Sequence, residues 1–274
     1  MYAGSTLVAL KYFDAWFGAH QKIDRISRKH LNLLFPETPF FFPSSRDIMK
    51  FEGLDGPDGI KRKTPAKDEP WHFFDPSNPD DIQILQTIQD HHRNLVDALR
   101  SRNKARAAFE AAWLAHAIVD GLTPAHHYPY EEELVKLRGG AGLDTRTSAK
   151  EKIVIPGDTI PKQISNNWKM WGDKGLLATH ITFEWGIAAI IAPLRLSRAI
   201  PDTSDLEEMS ELGFSKLYRQ RGQEIMDLHM YDAFYKSNWN LKLVKQVRKQ
   251  LAPTIINTVT LAWYAAIKES QSHK

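Results

Sequence analysis

Apolar residues recur along most of this chain at steps of three and four positions, which is the spacing of one buried face of an α-helix. One clear run with this spacing consists of Leu85, Ile88, Leu95, Val96 and Leu99. Asp80 and Asp81 lie just before it, where acidic side chains favour the start of a helix. An alanine-rich run at 105–120 predicts a second helix, which Pro124 ends because a proline disfavours helical backbone at the preceding residue.

The same spacing predicts further helices at about 5–18, 20–34, 161–172, 177–198, 204–217, 219–236 and 240–268. The alternation typical of strands is nearly absent, and residues 152–155 are the only short strand candidate. Two stretches, 36–80 and 138–160, are rich in loop-forming residues, and long loops of this kind tend to carry function. The pattern therefore predicts an all-α fold, a single-domain multi-helix bundle that spans residues 1–274.

Composition limits the chemistry. The chain has 274 residues, a formal net charge of +3 and no cysteine. The mild positive charge suits an anionic substrate or membrane surface, and it is far below that of a dedicated nucleic-acid-binding domain. Without cysteine, a zinc site must use nitrogen and oxygen ligands. Neither a signal peptide nor a membrane-spanning stretch is recognisable, so the sequence predicts a cytoplasmic protein without a transmembrane segment.

Two histidine–carboxylate pairs indicate a metal site. His116 and Asp120 are four positions apart, as are His180 and Glu184, so each pair projects from one face of a helix. A single pair of this kind is most often a surface ion pair. Both pairs lie in apolar helices, however, and burying them costs free energy unless a partner or a metal ion compensates. His126 follows the end of the alanine-rich helix, where the chain can turn it back toward His116 and Asp120.

Three further positions are candidates because of their context. His72 lies among aromatic residues just before a turn, and Asp58 lies in a tight loop fourteen positions upstream. His20 stands at the start of an amphipathic helix. Each has an ordinary interpretation as well, because Asp58 is also a common turn former and His20 a residue of a helix cap.

The motifs that carry a family resemblance are His116-x3-Asp120-x5-His126, His180-x3-Glu184 and His72-Phe-Phe-Asp-Pro. They resemble the motifs of the zinc-dependent phospholipase C family, which shares its all-helical fold and three-metal site with the fungal single-strand nucleases. The matching positions run from His20 to Glu184. The resemblance therefore implies a bundle of the phospholipase C and nuclease type.

The resemblance also implies two to three zinc ions and the ligands of each. One ion would be held by Asp58, His72, His116 and Asp120, a second by His126, His180 and Glu184, and a third by His20 and the other oxygen of Asp120. Asp55, three positions before Asp58, is the alternative ligand. The implied enzyme is a hydrolase in which a metal-bridging hydroxide attacks a phospholipid phosphodiester, with Asp58 as candidate general base.

The sequence departs from the family at several positions. Secreted members complete the third zinc site with an N-terminal tryptophan, whereas Trp16 is internal in this sequence. Gly59 and Glu69 stand where choline-preferring members carry aromatic residues, so no headgroup is predicted. The segment between His126 and His180 is much longer than in the bacterial phospholipases, and we expect it to reshape the substrate cleft.

Basic residues in the two loop stretches have two interpretations. They could orient a phosphate group, but charged loop residues are more often simply solvated. The residues in question are Lys61, Arg62, Lys63, Arg138 and Arg146.

Other functions are compatible with the same residues. A nuclease or nucleotidase would use the same metal cluster on a nucleic-acid substrate, and a non-catalytic helical protein would use zinc only to tie its helices together. A di-iron bundle is less favoured, because such proteins present Glu-x-x-His pairs and the pairs here have a spacing of four. The prediction is a phospholipid-cleaving enzyme that makes transient contact with a membrane surface.

Overall fold

The computed structural model describes residues 18–36 and 40–272, and this part of the chain is helical with no β-strand, which confirms the all-α prediction. The predicted helix at 5–18 falls outside the described residues, apart from residue 18. The helices are α1 (Ala19–Leu33), α2 (Ser45–Ile48), α3 (Pro57–Lys61), α4 (Gln83–Arg100), α5 (Lys104–Gly121), α6 (Tyr130–Leu137), α7 (Ala149–Ile153), α8 (Ile160–Trp171), α9 (Leu176–Ile191), α10 (Thr203–Leu212), α11 (Phe214–Met226), α12 (Met230–Ser237), α13 (Leu241–Gln246) and α14 (Ala252–Gln271). A π-helical turn, Val247–Leu251, joins α13 to α14. Within the described ranges, no helix is long and apolar enough to cross a bilayer.

Helix α5 lies at the centre of the molecule. Its alanine-rich sequence lets other helices approach closely, and α1, α2, α4 and α14 pack around it. The side chain of Asn103 caps the first turn by accepting a hydrogen bond from the backbone N–H of Arg106. Trp263 of α14 is fully buried, and its Nε1 donates to the carbonyl oxygen of Ala111 at 3.1 Å. Polar residues near the C-terminal end of α5 are therefore enclosed on several sides.

The long segment between His126 and His180 folds around a small core of its own. Tyr130 and Leu134 of α6, Met170 of α8 and Leu177 of α9 are buried together there. This second core lies beside the main one, and α9 contributes to both. The segment is therefore a packed layer of short helices, and α9 connects it to the central bundle.

Several element boundaries differ from the sequence prediction for identifiable reasons. Residues 152–155 are not a strand, because Lys152 and Ile153 form the end of α7, which a capping box at Ser148 starts, and the next two residues have no regular structure. The predicted helix at 204–217 breaks at Gly213, whose φ of +76° lies in the left-handed region that glycine tolerates. The predicted helix at 219–236 breaks at His229, which also has a positive φ. Local backbone conformation, which apolar spacing does not report, divides these helices.

Gly121 ends α5 at a close contact with α11. A Cβ atom at this position would lie 2.0 Å from the hydroxyl oxygen of Tyr218 and 2.7 Å from Cδ1 of Ile84. Tyr218 is fully buried, so its ring has little room to move. The absence of a side chain at position 121 therefore lets α11 pack directly against the turn that carries Asp120.

We predict that Gly121→Ala lowers the free energy of unfolding by about 1–3 kcal/mol, the usual cost of overpacking a core. Tyr218→Phe removes the clashing oxygen and leaves Cζ 3.3 Å from the new Cβ. The double variant should therefore recover part of the loss. Urea unfolding of the two single variants and the double variant measures this coupling, and strictly additive effects would contradict the contact as described.

Candidate metal centre

The structure brings all eight of the predicted site residues into one buried cluster. They come from five helices or turns that are far apart in the sequence, and from the extended segment before α4. Each is no more than 5% exposed: His20, Asp58, His72, His116, Asp120, His126, His180 and Glu184. Asp55, the alternative to Asp58, is exposed and lies outside the cluster. Helix packing therefore places charged and imidazole groups together where water is largely excluded.

His126, His180 and Glu184 form the tightest part of the cluster. The Nε2 atoms of the two histidines are 3.2 Å apart, and each lies 3.0 Å from Oε1 of Glu184. Ligand atoms that surround a zinc ion tetrahedrally at about 2.0–2.1 Å lie about 3.3 Å from one another. Two nitrogen atoms and one oxygen atom thus already have the mutual spacing of metal ligands, and together they could hold an ion.

Asp120 links the two halves of the cluster. Its Oδ1 atom lies 3.3 Å from Nε2 of His20 and 3.7 Å from Nδ1 of His126. Its Oδ2 atom lies 3.4 Å from Nε2 of His116, which lies 3.6 Å from Oδ1 of Asp58. His20 also stacks on His116, with ring centroids 3.9 Å apart. A carboxylate with both oxygens facing imidazoles is suited to bridging two cations.

Two histidines have one nitrogen fixed and the other turned toward the cluster. Nδ1 of His72 donates to the carbonyl oxygen of Pro70 at 3.1 Å, and Nδ1 of His116 pairs with Oε2 of Glu52 at 3.2 Å. Among the described residues, Nε2 of His72 is buried without a hydrogen bond, and Nε2 of His116 is buried with only the Asp120 and Asp58 carboxylates at 3.4 and 3.6 Å. Metal-ligating histidines have this arrangement, because the second nitrogen sets the tautomer and the orientation of the ring. The donor set therefore fits a metal ion.

Two carboxylates of the cluster were missed by the sequence analysis. Asp24 follows His20 by four positions on α1, so it forms a third pair with the same spacing as the two recognised pairs. It is fully buried, and within residues 18–36 and 40–272 neither of its oxygens has a hydrogen-bond donor. Burial and the neighbouring Glu52 carboxylate raise the pKa of Asp24 well above its ordinary value. Glu52 lies within ligand distance of His20 and His116, and no sequence pattern marked it.

Lys61 is also part of the cluster, which contradicts its interpretation as a solvated loop charge. It is 1% exposed, and its Nζ lies 3.4 Å from Oδ1 of Asp58 and 3.1 Å from Oδ2 of Asp120. Burial alone would lower the pKa of Lys61, but the two carboxylates outweigh burial and raise it. The neighbouring Arg62 and Lys63 are exposed, as expected.

The charge states follow from burial and from these neighbours. Burial lowers the pKa of His180 to about 4, so this imidazole is neutral at pH 7, as a metal ligand must be. Burial would raise the pKa of Asp120, but Lys61 and His116 lower it well below its ordinary value. Burial would likewise lower the pKa of His116, yet Asp120, Glu52 and Asp58 raise it. A metal ion that binds His116 must therefore displace a proton.

The fold and the cluster define a class, an all-helical protein with a buried set of imidazoles and carboxylates that could bind metal ions. No protein-family model, curated protein or solved structure matches the chain. The geometry of the cluster and the motif resemblance are therefore the features that bear on function.

We predict that Glu52→Gln weakens zinc binding by about 10- to 100-fold, because it removes the carboxylate that orients His116. Glu110→Gln is the matched control, since Glu110 is a fully buried carboxylate of the central helix and pairs with His91 at 2.6 Å. Competition with a chromophoric chelator measures both affinities. Equal losses in the two variants, or none in either, would show that Glu52 does not orient a ligand.

Proposed function

We propose that this protein is a zinc-dependent phosphodiester hydrolase that acts on phospholipids. The observation that carries the proposal is the ligand-like spacing of His126, His180 and Glu184, which lie next to Asp120. Asp120 connects these residues to a second set of imidazoles and carboxylates. Such an arrangement suits phosphodiester hydrolysis, because two adjacent cation sites can stabilise charge on both the attacking and the departing oxygen.

Zinc is the cofactor that suits these ligands. The donors are imidazole nitrogens and carboxylate oxygens, both of which zinc accepts in catalytic sites. His126, His180 and Glu184 would hold one ion, and Asp120 with His20 or His116 would hold another. When bound, zinc supplies Lewis-acid polarisation of phosphoryl oxygens and lowers the pKa of water.

The protein groups have separate roles in this proposal. Glu52 and the backbone carbonyl of Pro70 hold the rings of His116 and His72 in fixed orientations. Asp120 lies between the two halves and faces imidazoles of both. Asp58 remains the candidate general base, although the Lys61 ammonium lowers its pKa against the opposing effect of burial, and a lower pKa makes it a weaker proton acceptor.

An exposed apolar face supports phospholipid as the substrate. Helix α8 presents Ile160, Ile164, Trp168 and Trp171 to solvent, and these residues share one side of the helix because of their spacing. They are 44–74% exposed, and Trp185 of α9 is 62% exposed. Soluble proteins rarely expose so many large apolar side chains together unless the surface binds something.

Helix α9 connects this face to the cluster, and positive charge flanks the face. Helix α9 buries His180 and Glu184 and exposes Trp185, so the same helix contributes to the buried cluster and to the exposed apolar face. A groove of about 660 Å³ lies beside Trp171 and Trp185, and Arg62 and Lys150 line it. Tryptophan next to basic residues is typical of surfaces that rest on an anionic bilayer. A single-stranded nucleic acid is the second candidate substrate, and the assay below distinguishes the two.

We predict that the zinc-loaded protein releases a phosphorylated headgroup from phospholipid vesicles and that chelation abolishes the activity until zinc is restored. Glu184→Gln should reduce the rate at least about 100-fold, because it removes an anionic ligand. Single-stranded DNA is assayed in parallel. Cleavage of DNA alone would replace the lipid proposal with a nuclease, and a folded zinc protein without either activity would leave zinc a structural role.

We predict that the double variant Ile164→Ala, Trp168→Ala loses about tenfold or more of its rate on vesicles that contain anionic phospholipid, because membrane binding scales with buried apolar area. Its rate on a dispersed short-chain phospholipid should be unchanged. Leu241→Ala is the control, since Leu241 is 88% exposed and lies on α13. A loss on both substrates, or an equal loss in the control, would contradict a membrane-binding role for α8.

A further inference from the structure

Lys61 holds a position in the cluster that a metal cation would otherwise take. Its ammonium faces Oδ1 of Asp58 and Oδ2 of Asp120, and the same two oxygen atoms face Nε2 of His116. These atoms belong to the ligand set that the family resemblance assigns to the first zinc ion. The ammonium is thus paired with the two carboxylates from which a divalent ion would draw its negative ligands.

The local backbone fixes Lys61 in this position. Asp58 and Lys61 lie three positions apart on α3, so both side chains project from the same side of one helical turn. Gly59 between them packs so closely on the preceding loop that a Cβ atom would lie 2.3 Å from the carbonyl oxygens of Gly53 and Leu54. This close packing holds the turn against residues 53–54, and Lys61 is directed inward.

A second buried lysine, Lys152, binds the loop that carries Lys61. Nζ of Lys152 donates to the backbone carbonyl of Lys61, to the carbonyl oxygen of Thr64 and to the carboxylate of Glu69. Lys152 is 4% exposed and lies on α7. The loop that carries Lys61 is therefore tied to the long segment between His126 and His180.

The charges of these groups also disfavour a divalent ion between Asp58 and Asp120. Asp58 and Asp120 together carry two negative charges, which one divalent ion would neutralise. With Lys61 between them, one positive charge is already supplied, and a divalent ion at this place would be repelled by the ammonium. His126, which belongs to the other candidate site, faces Oδ1 of Asp120, whereas Lys61 faces Oδ2, so the Asp120 carboxylate lies between the ammonium and that site.

We propose that Lys61 is a resident cation of the cluster, which replaces one divalent ion between Asp58 and Asp120. The proposal rests on the metal centre of the proposed function and refines it. The chain then binds its metal through the remaining ligands, and the lysine supplies the positive charge on the Asp58 side. Removal of the ammonium should open a further metal site.

The test is a zinc count on the purified full-length chain after zinc loading and dialysis, by elemental analysis. Lys61→Met keeps the length of the side chain and removes its charge, and it should bind one more zinc per chain than the unaltered protein. Lys61→Arg keeps the charge and should leave the count unchanged. Lys152→Met is the matched control, because it removes a buried lysine of the same region that does not touch Asp58 or Asp120.

Asp58→Asn provides a second test in a variant that retains Lys61. If Asp58 pairs with the ammonium and not with a metal, Asp58→Asn alone leaves the zinc count unchanged, whereas in the Lys61→Met background it removes the added zinc. The proposal would be overturned if the unaltered protein and Lys61→Met bound equal amounts of zinc. It would also be overturned if Asp58→Asn alone bound less zinc than the unaltered protein. Zinc bound in equal amounts by the unaltered protein and Lys61→Met would leave the proposed metal centre intact, whereas a chain that binds none would remove both.

Discussion

The electrostatic compensation of Asp120 is the constraint on which the rest of the site depends. This carboxylate is 3% exposed, at the end of a helix that is itself surrounded by other helices. A carboxylate in such a place is costly unless cations and hydrogen-bond donors surround it. His20, His116, His126 and Lys61 all lie within 3.7 Å of its oxygens, so α1, α3, α5 and the turn after α5 must converge there.

Close packing surrounds the place where these elements converge. Gly121 follows Asp120 and has no side chain, which allows Tyr218 to close over the end of α5. Asp24, Glu52 and Asp58 add further carboxyl groups to the same interior, and the raised pKa of Asp24 favours its neutral form. Asp58 and Asp120, whose pKa values are lowered, carry negative charge that needs positive charge beside it, and Lys61 supplies one unit of it. Divalent ions at the remaining imidazoles would supply the rest, which is the physical basis of the proposed metal dependence.

The long segment between His126 and His180 has two roles in this structure. Its inner side forms a small core with Tyr130, Met170 and Leu177, and Lys152 reaches from it to the loop of Lys61. Its outer side, on α8, exposes a row of large apolar residues next to basic ones. The segment thus connects the part of the surface that could meet a bilayer to the buried cluster. This connection favours a lipid substrate over a nucleic acid in the proposed function.

The sequence alone determined the helical class and the two pairs His116–Asp120 and His180–Glu184, because apolar spacing and a step of four positions are local properties of a helix. The same rule identifies Asp24, four positions after His20. The sequence did not determine the roles of Glu52 and Lys61, which stand in a loop and a short helix without periodicity. Only the tertiary structure placed them within reach of His116 and Asp120, since the distance between residues so far apart in the chain depends on how the helices pack. For the same reason, the exposure of α8 was decided by the fold, because an apolar row looks alike in sequence whether it is buried or faces solvent.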